Sequence, residues 1–119
     1  MNVKSSPAVA PDPAPRAPAR CTSMSDVRRE IDRLDREIVT LLAERQNYIE
    51  QAGRIKQSRD KVRDDARVAD VIAKVRARAA EVGAHPDLAE TVYRAMVEWC
   101  IAYEFTVFDK KGDGQGGGA

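Results

Sequence analysis

Cysteine and histidine are scarce in this 119-residue sequence, which contains two cysteines and one histidine. Cys21 lies in a proline-rich segment and Cys100 in a predicted helix, so we expect no structural disulfide between them. This usage fits a reducing compartment, and the expected location is the cytoplasm. Because no Cys/His cluster surrounds His85, the sequence predicts no zinc site or other metal site, and it indicates no cofactor.

An excess of one charge and a long apolar run are also missing. The 20 basic and 19 acidic side chains give a net charge of +1, which argues against a general nucleic-acid binder. No stretch is long and apolar enough to span a membrane, so we expect no membrane partner. No segment alternates polar and apolar residues with a period of two, so we expect no sheet and an all-α fold.

Proline and glycine are concentrated at the two ends of the chain. Residues 1–23 hold five of the six prolines, and this composition predicts a disordered segment. Its longest apolar run, residues 8–10, is too short for a signal peptide. The glycine-rich residues 110–119 predict a flexible tail. One folded domain, residues 24–109, remains, and it is near the lower size for a self-sufficient core.

A heptad pattern over residues 26–57 is the strongest structural signal. Its seam residues are spaced alternately four and three apart, which is typical of a helix with one buried face, and Ser23 or Ser25 is the expected N-cap. Such a helix is about 48 Å long, more than the width of a small domain, so a second chain is needed to cover the seam. Every seam position is apolar or small except Arg45. The seam consists of Val27, Ile31, Leu34, Ile38, Leu41, Arg45, Tyr48, Ala52 and Ile55.

The rest of the folded part predicts two shorter helices. Asp64 or Asp65 can cap a helix that ends at Gly83, and the third helix spans residues 86–108. Gly53 interrupts the long helix, which indicates either the close approach of another helix or room for a ligand. The expected architecture is therefore one very long helix followed by two shorter ones.

Four charged residues of these helices are candidates for a common site. Arg45 and Lys56 are eleven residues apart, on one face of the long helix and about 16 Å apart along its axis. In an antiparallel or intertwined dimer, Arg28 in the first turn of one long helix would approach these two cations of the other chain. Glu104 is either the partner of a buried cation or a hydrogen-bond donor kept protonated.

Each cation also has an ordinary structural interpretation. Arg45 can be a seam residue that pairs with Glu44 or Glu50 of a neighbour. Lys56 is of a type common near helix carboxyl ends, and Arg67 is one of many arginines in the second helix. The candidate residues are cations and one acidic group, and they include no nucleophile–base pair. Such a set suits the binding of a small polyanion. Catalysis at such a site would come from electrostatics and positioning.

Three segments resemble the all-helical chorismate mutases. They are DVRREIDRLDREIV, which contains Arg28, LLAERQNYIEQAGRIK, which contains Arg45 and Lys56, and VRDDAR. The resemblance extends over residues 26–108. It implies an intertwined helical homodimer with two equivalent active sites, each using an arginine from the partner's long helix. It also implies the unimolecular rearrangement of chorismate to prephenate, in aromatic amino-acid biosynthesis.

The same resemblance implies a role for each matching residue. Arg28 of the partner subunit and Arg45 would bind the two carboxylates of chorismate. Lys56 would donate to the ether oxygen of the breaking bond. Asp64 and Arg67 would lie on the side of the ring hydroxyl.

Two residues depart from the pattern of the mutases. Glu104 replaces a glutamine that also contacts the ether oxygen, and a carboxyl group can donate there only when protonated. Val68 replaces a glutamate that contacts the ring hydroxyl in many mutases. Val68 and the segment EWCIAYE are closer to the isochorismate pyruvate lyases, which share the fold and form salicylate and pyruvate, whereas Asp64 favours a mutase. The sequence thus favours a mutase, with a lyase or a non-catalytic helical dimerisation module as alternatives.

Overall fold

The structure, a computed structural model, describes residues 12–117, with side chains as far as residue 111. It contains helix α1 (Met24–Ile55), a 3-10 turn (Arg59–Lys61), helix α2 (Asp65–Val82) and helix α3 (Pro86–Gly117). No strand occurs within residues 12–117, which confirms the predicted all-α fold of three helices. None of the helices in this range is long and apolar enough to cross a membrane.

The helix ends use the capping residues that the sequence indicated. The Ser23 hydroxyl accepts a hydrogen bond from the backbone N–H of Asp26 at 3.1 Å. The Asp64 carboxylate accepts one from the backbone N–H of Arg67 at 3.0 Å. Gly83 ends α2 with a φ of 84°, a left-handed conformation that glycine adopts without a steric penalty.

Two helix boundaries differ from the prediction. Helix α1 ends at Ile55 and not at residue 57, and the backbone of Lys56 is extended, with a φ of −60° and a ψ of 140°. Helix α3 continues past Phe108 to Gly117. One reason is that the Lys111 ammonium of α3 donates to the backbone carbonyl oxygens of Arg54 and Lys56, at 2.9 and 2.6 Å. These carbonyls have no partner within α1, so α3 extends where its lysine can cap the end of α1.

The hydrophobic core lies between α2, α3 and the connection after α1. Val62, Val97 and Ile101 form its buried centre. In contrast, Gly53 is the only buried residue of α1 in the described chain. The apolar seam of α1 therefore remains largely open to solvent on a single chain. Partly buried residues packed against the core are Val68, Val71, Phe105 and Phe108.

Helix α1 lies close to α3 at Gly53. A Cβ atom at this position would lie 2.9 Å from Cγ1 of Val107 and 3.2 Å from the carbonyl oxygen of Glu104. Of the two interpretations of Gly53, the close approach of another helix is thus confirmed. This contact sets the spacing of α1 and α3 beside Glu104.

The chain before α1 contacts both α1 and α2. Arg16 pairs with Glu37 of α1 at 2.7 Å, and Arg78 of α2 donates to the carbonyl oxygen of Pro13. Residues 12–20 form no helix or strand. The predicted disorder of residues 1–11, and the part of the predicted tail at residues 118–119, lie outside the described residues.

Candidate functional site

A cavity of about 510 Å³ opens between α1, α2, α3 and the 3-10 turn. Five of the six predicted site residues line it, and Arg28 does not. The structure thus brings together residues from three helices that the sequence identified separately. The predicted residues at the cavity are Arg45, Lys56, Asp64, Arg67 and Glu104, and apolar lining comes from Ile49, Val62, Val68, Val71, Val97 and Ile101.

Lys56 and Glu104 form an ion pair at the cavity. The ammonium nitrogen Nζ of Lys56 lies 2.5 Å from Oε2 of Glu104 and 3.5 Å from the carbonyl oxygen of Val62. Glu104 is only 5% exposed and is the one buried charged residue of the described chain. Two interpretations of Glu104 were open, and in the structure Glu104 is the partner of a cation.

Arg45 is held by neutral groups. Its Nη1 atom donates to Sγ of Cys100 at 3.3 Å, and its guanidinium carbon lies 5.8 Å from the centre of the Tyr93 ring. No carboxylate in the described part of this chain forms an ion pair with Arg45. Its positive charge is therefore not neutralised within the part of the chain that the structure describes.

Asp64 and Arg67 already have partners at the edge of the cavity. The Asp64 carboxylate caps α2, and the guanidinium of Arg67 pairs with Asp70 at 2.8 Å. The pKa of Asp70 lies below its ordinary value chiefly because Lys74 bonds its carboxylate, with a further contribution from Arg67. The local role of Asp64 as a helix cap weakens its value as an indicator of a mutase.

Arg28 lies apart from the other predicted site residues. It is exposed near the beginning of α1, in a shallow surface depression that it shares with Arg29, Asp32 and Arg36. A contribution of Arg28 to the cavity would therefore have to come from a second chain. This role remains a prediction.

Two cavity residues were missed by sequence reasoning. Lys61, from the 3-10 turn, lines the cavity, and it belongs to none of the predicted helices. Cys100 lies four residues before Glu104, hence one helical turn away, and this spacing could have indicated its position. Within the described residues, no group of three His, Cys, Asp or Glu side chains is arranged to hold a metal ion.

A hydrogen bond between α1 and α3 supports the site. The Tyr103 hydroxyl donates to Oε2 of Glu50 at 2.6 Å. Tyr103 is the residue before Glu104 in α3. This bond is the chief reason that the pKa of Glu50 lies below its ordinary value, and the same contact raises the pKa of Tyr103. Helices α1 and α3 are thus joined next to the Lys56–Glu104 pair.

A second, more apolar cavity of about 590 Å³ lies farther towards the beginning of α1. It shares Arg45 and Cys100 with the first cavity. Trp99 borders it, is 57% exposed and stacks on Tyr103 with ring centres 5.1 Å apart. Its other apolar lining comes from Ile38, Leu41, Leu42, Val92 and Met96.

Comparisons with known proteins identify the family of the chain. Residues 27–105 match the model of the family described as chorismate mutase type II. The chain is also similar to the isochorismate pyruvate lyase of Pseudomonas aeruginosa. The two are 32% identical over 87 residues, which cover 73% of this chain and 86% of that protein. The matched residues begin in α1, include α2 and end within α3. The chain belongs to the chorismate mutase type II family.

Proposed function

We propose that the protein rearranges chorismate to prephenate in the cavity lined by Arg45, Lys56 and Glu104. The observation that carries this proposal is the convergence of five predicted site residues on one cavity. The lining contains no serine or histidine, and the only thiol, that of Cys100, has no base beside it. A unimolecular rearrangement needs neither a nucleophile nor a base, so positioning and charge stabilisation suffice.

Lys56 is the proposed donor to the ether oxygen, which gains negative charge as its bond to carbon breaks. An ammonium group has three N–H donors. Glu104 and the Val62 carbonyl accept two of them, which leaves the third for the substrate. Because Glu104 fixes the direction of Lys56 before the substrate binds, little reorganisation is needed in the transition state.

Arg45 and Arg28 of the partner subunit are the proposed ligands of the substrate carboxylates. The neutral contacts of Arg45 with Cys100 and Tyr93 orient the guanidinium without neutralising it. Arg28 would reach the cavity in a homodimer. The exposed apolar seam of α1 supports such a dimer, since Ile31 is 49%, Ile38 53% and Leu41 63% exposed on one chain.

The elimination of pyruvate from isochorismate is a second candidate. The relative in Pseudomonas aeruginosa is named for that activity, and Val68 gives the cavity an apolar wall near the beginning of α2. Incubation of the protein with chorismate and with isochorismate, followed by chromatography, distinguishes the two. We expect prephenate from chorismate. Salicylate from isochorismate without prephenate would identify a lyase, and no product from either would favour a non-catalytic dimerisation module.

The variant Arg45→Ala tests whether turnover takes place in this cavity. A charge-assisted hydrogen bond is worth about 1.5–3 kcal/mol, so we expect kcat/KM for chorismate to fall by about 10- to 100-fold or more. The thermal unfolding midpoint should change little, because no ion pair of the described chain is lost. Arg54→Ala is the matched control, since Arg54 is exposed on the same helix and lies outside the cavity. If Arg45→Ala unfolds but keeps its activity per folded molecule, Arg45 is structural.

A further inference from the structure

Lys61 is a cation of the cavity to which neither the sequence nor the family resemblance assigns a role. It is the last residue of the 3-10 turn Arg59–Lys61, and it lines the same cavity as Lys56 and Glu104. Among the side chains that the structure describes, no carboxylate forms an ion pair with it. The pKa of the adjacent Asp60 is lowered chiefly by the Ser58 hydroxyl, and the charge of Lys61 is the weakest of the causes.

The turn fixes the backbone of Lys61 on both sides. Before it, the Nε atom of Arg59 lies 3.0 Å from Oδ1 of Asp109, and the guanidinium carbon lies 4.4 Å from the centre of the Phe105 ring. After it, Val62 is buried in the core at 3% exposure. Because the backbone is already ordered, binding a ligand restricts only the side chain of Lys61.

Among the described residues, no charge at this end of the cavity forms an ion pair with Lys61. The Lys56 ammonium is neutralised by Glu104 at 2.5 Å. The same ammonium lies 3.5 Å from the carbonyl oxygen of Val62, the residue after Lys61. Lys61 therefore adds one unneutralised positive charge next to the Lys56–Glu104 pair. Arg45 adds a second unneutralised positive charge. Its backbone lies about 15 Å from the end of α1, measured along the helix axis.

We propose that Lys61 binds one carboxylate of a dicarboxylate substrate, at the end of the cavity away from Arg45. This inference rests on the proposed function and assigns it a further binding residue. Arg45 would bind one carboxylate, and Lys61 would share the other with Arg28 of the partner subunit. Since the carboxylate is charged in both the ground state and the transition state, Lys61 acts mainly on KM and little on kcat.

The test compares Lys61→Ala and Lys61→Arg with the wild type. Lys110→Ala is the control, because Lys110 is exposed on α3 outside the cavity and its loss changes the net charge equally. We expect Lys61→Ala to raise KM for chorismate about tenfold, with kcat within about twofold. Lys61→Arg should stay near the wild type, and Lys110→Ala should have no effect. Added salt should reduce the difference between Lys61→Ala and the wild type.

The outcomes separate this inference from the proposed function. If the wild type converts chorismate and KM is the same in Lys61→Ala and Lys110→Ala, the role of Lys61 is wrong and the mutase activity stands. If the wild type converts only isochorismate, the mutase proposal fails, and KM for isochorismate in the same variants decides the role of Lys61. A wild type that neither converts nor binds either substrate in a calorimeter overturns both.

Discussion

Arg45 shows how a single residue can keep its charge available in a protein rich in ion pairs. Other arginines of the described chain pair with carboxylates, for example Arg33 with Glu37 at 2.7 Å and Arg94 with Glu90 at 2.6 Å. Arg45 instead contacts a thiol and an aromatic ring. Both contacts restrict the guanidinium, and neither cancels its charge. An anionic ligand would then provide its first full counterion.

Glu104 gives the sharpest prediction at the scale of one residue. Glu104→Gln keeps an oxygen that accepts from Lys56 and adds a permanent N–H donor, so we expect kcat within about tenfold of the wild type. Glu104→Ala leaves Lys56 without its partner, and kcat should fall by about 10- to 100-fold. Initial rates at saturating chorismate measure both effects, with circular dichroism to verify folding. A Gln variant as slow as the Ala variant would show that the oxygen of residue 104 does not direct Lys56.

At the scale of the elements, the close contact of α1 with α3 at Gly53 determines the expected effect of a substitution. Gly53→Ala raises helix propensity by about 1 kcal/mol, but its Cβ would lie 2.9 Å from Val107. Overpacking of this kind costs about 1–3 kcal/mol, so we expect a net loss of stability. Urea unfolding at fixed protein concentration measures the change in the free energy of unfolding.

The variant Val107→Ala makes room for the added methyl group. The double variant should therefore lose less stability than the sum of the losses in the two single variants. A Gly53→Ala protein that is more stable than the wild type would contradict the close contact.

The sequence was informative about the helices and less so about the segments between them. Caps at Ser23 and Asp64 and the stop at Gly83 were predictable because they depend on local backbone chemistry. The end of α1 was not predictable, because the position of Lys56 depends on Glu104, which is 48 residues away along the chain. The extension of α3 likewise depends on the contact of Lys111 with the end of α1.

The same contrast applies to the candidate site. Arg45 and Glu104 could be identified because a charge in an apolar pattern is conspicuous, and Lys56 because of its helical spacing from Arg45. The family resemblance added Asp64 and Arg67. Lys61 could not, because a lysine in a polar loop is ordinary until tertiary contacts place the loop beside the cavity. Cys100 was similarly inconspicuous among the apolar residues of α3.

At the scale of the whole molecule, the described part of one chain leaves a long apolar surface uncovered. The seam of α1 lies open beside the apolar cavity bordered by Trp99, and a second copy of the chain is the proposed cover. Arg28 is exposed near the beginning of α1, away from Arg45, so one chain alone does not bring the two together. A dimer with crossed long helices would bring Arg28 of the partner subunit to the cavity. Each active site would then need residues from two chains.

Mixing two weakened variants tests this shared site. We expect the Arg28→Ala and Arg45→Ala homodimers each to keep about a tenth of the wild-type activity or less, because each of their sites lacks one of the two arginines. In a mixed dimer, one site has both arginines and the other has neither. After unfolding and refolding of an equimolar mixture, about half of the dimers should be mixed, so about a quarter of the sites should be active.

The measurement is the initial rate with chorismate before and after joint refolding, with separately refolded variants as the control. Sedimentation velocity on the same samples must show dimers. Activity that stays at the level of the separate variants, or a folded and active monomer, would mean that Arg28 does not act across the interface.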